Sequence, residues 1–205
     1  MALVIAAAAL AGSASASILY INYGDGSGSA YASQNDTNTY GNYATVYGSF
    51  NAVGTVTHVE WLGEYFNPAQ QGALGGFTLN FYSDAGGNPG GLVSSQHFNG
   101  TCNEFWAYNW GGFDVYDYST DISGVAVNGD GWLSIVADLG FPPQWGWTAG
   151  QDSRFAQQDF FGSRSVLGTS VSMALSGDTA VPEPASMAAL GLGVVALIRK
   201  RKAAK

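Results

Sequence analysis

The sequence predicts an all-β fold. The expected form is an antiparallel β-sandwich, a jelly roll, flanked by an N-terminal signal segment and a C-terminal apolar helix. Three observations predict it. The chain is poor in charge and rich in aromatic residues and glycine. Several windows alternate apolar and polar residues with a period of two. Turn signals separate those windows. Of 205 residues, 11% are charged, 14% are aromatic and 29 are glycine. Typical soluble domains carry about 25% charged residues. A disordered chain would be poor in aromatics, so this composition points to strands joined by tight turns.

The elements follow in chain order. Residues 3–11 form a short apolar run, and Ala14-Ser15-Ala16 gives the small-residue pattern of a signal-peptidase cut. Residues 1–16 therefore read as a signal peptide, residues 17–178 as an exported domain and residues 179–205 as a sorting signal. Within the domain, Val59, Trp61 and Tyr65 share one strand face, while His58, Glu60, Leu62 and Glu64 share the other. Phe77, Leu79 and Phe81 share a face in the next window. Asp84 to Gly91 and Asn128-Gly129-Asp130-Gly131 read as turns. Leu133, Ile135 and Ala137 share a face, which places Trp132 on the opposite, outward one. Val125–Val127 and Ser170–Leu175 read as two further strands. No stretch of residues 17–180 offers a helical apolar face.

The C-terminal end has three parts: Val181-Pro182-Glu183-Pro184, fourteen uncharged residues from Ala185 to Ile198, and the basic cluster Arg199-Lys200-Arg201-Lys202. Two prolines separated by one residue hold the chain extended and accessible. An apolar stretch in lipid must be helical to satisfy its backbone. The basic cluster predicts a cytoplasmic end. This arrangement resembles the PEP-CTERM sorting signal of exosortase-processed proteins. The resemblance implies an exosortase-type enzyme as partner and a transient membrane anchor. It also implies an inner-membrane precursor whose mature form reaches the cell surface or extracellular matrix.

A second resemblance, to exported bacterial jelly-roll domains, rests on Glu60 to Tyr65, Phe77 to Asp84, Gly131 to Ile135 and Trp145-Gly146-Trp147. It implies a fold rather than an activity.

Charge excludes one class of partner. Residues 17–180 hold fourteen acidic side chains against Arg154 and Arg164, a net charge near −12. Such a surface repels phosphate backbones, so nucleic acid is not an expected partner. The chain carries no catalytic signature. Glu60 and Glu64 lie about 13 Å apart along one strand, wide for a glycosidase pair. His58 and His97 have no nucleophile context, and Cys102 stands alone. No metal set is evident, although Asp84 with Asn88, or Asn128 with Asp130, offers oxygen ligands for a structural calcium.

Aromatic residues carry the remaining signal. Trp106, Tyr108 and Trp110 alternate and share a face if the chain is extended. Trp145 and Trp147 follow Pro142-Pro143-Gln144 in an expected loop, and Trp132 should face outward. Flat aromatic rings make platforms for sugar rings, so these six are candidate polysaccharide contacts. The sequence therefore reads as a non-enzymatic surface or matrix protein that binds polysaccharide. The alternatives are a scaffold without ligand and, third, a glycan hydrolase.

Overall fold

The computed structural model describes residues 16–179. The N-terminal run and the sorting signal from residue 180 onward, including the expected apolar helix, lie outside the described residues.

Thirteen strands follow in order: β1 (Ser17–Asn22), β2 (Ala30–Ala32), β3 (Gln34–Asp36), β4 (Gly41–Phe66), β5 (Gly76–Asp84), β6 (Pro89–Asn99), β7 (Phe105–Trp110), β8 (Phe113–Leu139), β9 (Gln144–Gly150), β10 (Gln157–Phe160), β11 (Ser163–Val166), β12 (Ser170–Val171) and β13 (Met173–Asp178). The described residues contain no helix.

Two very long strands organise the fold. β4 and β8 pair antiparallel from Tyr47–Ser134 to Glu64–Val115. Their register breaks between Val56 and His58, where Thr57 faces the three residues Ile122–Gly124. Such a bulge bends a strand pair, and here it folds the β4–β8 ribbon so that each strand serves two layers. In one layer β5 joins β8 at residues 131–138, β6 joins β5, and β10 with β11 joins the start of β4. In the other, β13 and β1 flank β4 on one side, while β7 joins β8 on the other. β9 pairs with the end of β4 and in turn with β2 and β12.

The layers meet through rings. Trp61 of one layer lies 5.1 Å from Phe77 of the other, and Tyr20 lies 6.4 Å from Phe50. Phe77, Leu79, Phe81, Leu133 and Ile135 are buried, as their alternation predicts. Each buried aromatic removes about 150–250 Å² from water, worth a few kcal/mol at about 25 cal/mol/Å².

Three expectations need correction. The sheet is mixed, because β3 pairs antiparallel with β4 and parallel with β8. β4 and β8 oppose one another, so a strand bonded to both must run parallel to one of them. Residues 128–131 are not a turn: they continue β8 opposite Phe50 to Val53. Trp145 and Trp147 sit in β9, a buried strand, rather than in a loop.

Candidate functional site

The six candidate aromatics have three fates. Trp145 and Trp147 are completely buried. The Trp145 indole N–H donates to the Tyr118 hydroxyl at 3.2 Å, and the Trp147 N–H donates to the Ser172 carbonyl at 2.6 Å. Gly63 makes room for the first ring: a Cβ there would stand 2.3 Å from Trp145. A ring with no accessible surface presents no platform, so this pair belongs to the core.

Trp132 does leave the Leu133–Ile135 face, as alternation requires, but it is only 4% exposed. Its N–H donates to Asp84 Oδ1 at 2.8 Å, and Arg154 and Phe155 lie beside it. The far side of this layer is covered locally by the 151–156 segment, so facing away from the core did not mean facing water.

Trp106 and Trp110 remain 52% exposed, and Tyr108 is half-buried. They do not share a face. A bulge between Trp106 and Tyr108 sets Trp106 opposite Tyr116, whereas Tyr108 and Trp110 fall opposite Val115 and Phe113. Phe105, opposite Asp117 and 73% exposed, joins Tyr108 and Trp110 on the second face. Sequence reasoning missed Phe105 because it assumed a straight strand, and period-two alternation carries no sign of a bulge.

Each ring is held. The Trp106 N–H and the Asn109 amide both donate to Asp114 Oδ1, at 3.0 and 2.9 Å. Those two bonds, Asn109 first, hold the Asp114 carboxyl below its ordinary range. The Trp110 ring occupies the space where a side chain on Gly28 would stand, and Gly28 takes a left-handed φ of 63°. The Tyr108 hydroxyl lies near Gly24.

Beside this strand runs a cleft of about 250 Å³, lined by Ile21, Tyr23, Gly24, Glu60, Leu62 and Asp117 among others. Leu62 and Phe105 flank Asp117 across neighbouring strands, so the cleft and the aromatic face are continuous. Tyr23 on its wall is 66% exposed. The lining is acidic. Burial, then the nearby Glu60 charge, pushes the Asp117 carboxyl up. Glu60 is braced by His58 Nε2 at 3.3 Å, and His58 Nδ1 contacts Asp121 at 2.7 Å.

Glu64 departs most from expectation. It shares the outward face with Glu60 but is buried, and its Oε2 has no hydrogen-bond partner. Burial pushes its carboxyl up to about 7. It lies in the row Gly146–Glu64–Val115–Tyr108 across β9, β4, β8 and β7.

The remaining candidates are structural in setting. Burial pushes the part-buried Cys102 thiol up to about 11, away from thiolate reactivity. Asp84 bonds the Gly87 amide of its own turn. Among the described residues no three His, Cys, Asp or Glu side chains lie close enough together to hold a metal.

No curated protein matches the chain. Its C-terminal segment does match a family model: residues 180–202, taking in Pro182-Glu183-Pro184 and the basic stop Arg199 to Lys202, carry a PEP-CTERM protein-sorting motif.

Proposed function

We propose that this chain is an exported surface or matrix protein, anchored briefly in the membrane and released by an exosortase, whose body binds neutral polysaccharide without cleaving it. The sorting motif supports export and processing. The body would then be a jelly-roll-like sandwich presenting its edge strand β7 to the polymer.

One observation carries the binding reading: Phe105 and Trp110, both more than half exposed, share one face of a six-residue edge strand beside an acidic cleft, with Trp106 open on the other face. Soluble proteins rarely leave several large aromatics together in water unless something covers them. Ring faces meet the C–H faces of sugars, while Asp114, Asp117, Asn109 and Glu60 offer acceptors or amides to hydroxyls. The negative surface disfavours acidic polymers.

The scaffold alternative would be favoured had all four of Trp106, Trp110, Trp145 and Trp147 been buried, and only the β9 pair is. The hydrolase alternative keeps one supporting feature, the Glu60–Asp117 pair, whose members are diagonal neighbours on adjacent strands. Both residues stay open to solvent, even with the partial burial that raises the Asp117 carboxyl, a poor setting for excluding water.

Affinity electrophoresis of the full chain through gels holding neutral polysaccharides tests the reading. Retardation is expected, and it should weaken in Trp110→Ala with no release of reducing ends. Free migration in every gel, including one cast with the producing cells' own matrix polymer, would refute it.

A further inference from the structure

A second cleft, of about 350 Å³, opens on the other layer, lined by Ser49, Asp84, Asp130, Trp132, Arg154 and Phe155 among others. It has the lower size of small-ligand pockets, about 300 Å³ and upward. Its polar groups are fixed in place. Asp130 Oδ1 accepts from the Asn51 amide at 2.8 Å and from Arg154 Nη1 at 3.0 Å. Asp84 is fixed by the Trp132 indole and the Gly87 amide. Buried Gln157 donates to the Gly87 carbonyl and Asn88 Oδ1, both at 3.1 Å, which braces the turn forming one wall. Ser49 donates to the Phe155 carbonyl at 3.0 Å, setting a 57% exposed ring at the cleft edge.

These bonds leave functional groups over. None of the described contacts uses Asp130 Oδ2 or Arg154 Nη2. An acceptor beside a donor on one rigid pair matches two adjacent hydroxyls, one donating to the carboxylate and the other accepting from the guanidinium. The exposed Phe155 ring offers the apolar surface that the C–H face of a pyranose needs. Asp84, Asp130 and Asp152 outnumber Arg154, so an anionic sugar is repelled. Both Asp84 and Asp130 are held below their ordinary range, Asp84 first by the Trp132 hydrogen bond and Asp130 first by Asn51, so both stay ionised at neutral pH.

We infer that this cleft is a second sugar site, binding the adjacent hydroxyl pair of a neutral hexose through Asp130 and Arg154 against Phe155. It does not depend on the β7 reading. If both sites bind, one chain bridges two polymer strands and gains by effective concentration.

The Trp132 indole proton reports on the site, because its acceptor Asp84 lines the cleft. The test uses full-length ¹⁵N-labelled chain in mild detergent with a chelator present. Methyl glucoside, galactoside, mannoside and glucuronate are titrated, with the Trp132 signal assigned through Trp132→Phe. We expect at least one neutral glycoside to shift that signal saturably and glucuronate not to. Arg154→Gln and Asp130→Asn should each weaken binding about tenfold or more, with the other indole signals unmoved as evidence of intact folding. Trp110→Ala should leave the response unchanged. The inference is overturned if no neutral glycoside moves the signal, if movement requires calcium, if glucuronate binds as well, or if Arg154→Gln binds like the parent. Loss of retention on polysaccharide gels with an intact Trp132 response would sink the β7 reading alone.

Discussion

β7 and β9 each carry two tryptophans with small spacing, and the fold treats them oppositely. Trp145 and Trp147 in β9 are fully enclosed, whereas Trp106 and Trp110 in β7 are half open to water. The difference lies in neighbours. β9 bonds to β2 on one side and to β4 and then β12 on the other, while β7 bonds only to β8. An edge strand has one flank free, and the bulge in β7 turns its rings to both faces. Aromatic content therefore said little about platform or core until strand neighbours were known.

The largest expected effect tests the core side of the comparison. Trp145→Ala should cost about 3–5 kcal/mol of stability, read as a lower urea midpoint, because it empties a site ringed by Phe77 and Tyr118. A loss below about 1 kcal/mol would mean that β9 is not the enclosed strand described.

Glu64 joins the two regions, since it pairs with β9 on one side and, through Val115, with β7 on the other. Its carboxyl is raised to about 7, above its unfolded value of about 4.3. The folded state thus holds a proton that the unfolded chain releases. Stability from this group is complete below about pH 4.3, declines as pH rises towards 7, and is flat above that. The total is on the order of 3–4 kcal/mol. Asp36 acts in a separate window. Burial pushes it up, but amide donors from Phe141, Asn38, Tyr40 and Thr39 outweigh this and hold it at about 2. Its contribution is lost only as pH falls below about 4. Urea titrations between pH 5 and 8 should show the Glu64 decline, and Glu64→Gln should flatten it. An unchanged slope in the variant would place the carboxylate in water.

Gly63→Ala sharpens the same boundary, because the added methyl meets the Trp145 ring at 2.3 Å. Overpacking of this kind costs about 1–3 kcal/mol. The smallest stability effect belongs to Trp110→Ala, expected within about 0.5 kcal/mol. Its consequence should appear instead as about tenfold weaker retention on neutral polysaccharide, equivalent to about 1.4 kcal/mol. Equal stability losses at Trp110 and Trp145 would erase the contrast.

Much of this was legible in the sequence for a physical reason. Alternation is set by the pleat, so Phe77, Leu79, Phe81, Leu133 and Ile135 declared their face without any knowledge of partners. The sorting motif was legible because its three parts are local in the chain. What the sequence hid was non-local. The parallel β3–β8 pair depends on two long strands splaying around a third. The cover over Trp132 comes from residues 151–156, about twenty positions away in the chain. The second cleft joins Asp84, Asp130 and Arg154 from three separate segments. The burial of Glu64 was hidden because neither flanking strand was visible from its own window.

The division between β7 and β9 is tested most directly by mapping tryptophan oxidation with hydroxyl radicals, with and without neutral matrix polysaccharide. Trp106 and Trp110 should oxidise rapidly in the free protein and become protected by the polymer, while Trp145 and Trp147 stay unreactive in both. Oxidation of Trp145 and Trp147 at rates matching the β7 pair, or a β7 pair indifferent to every polymer tried, would contradict the account.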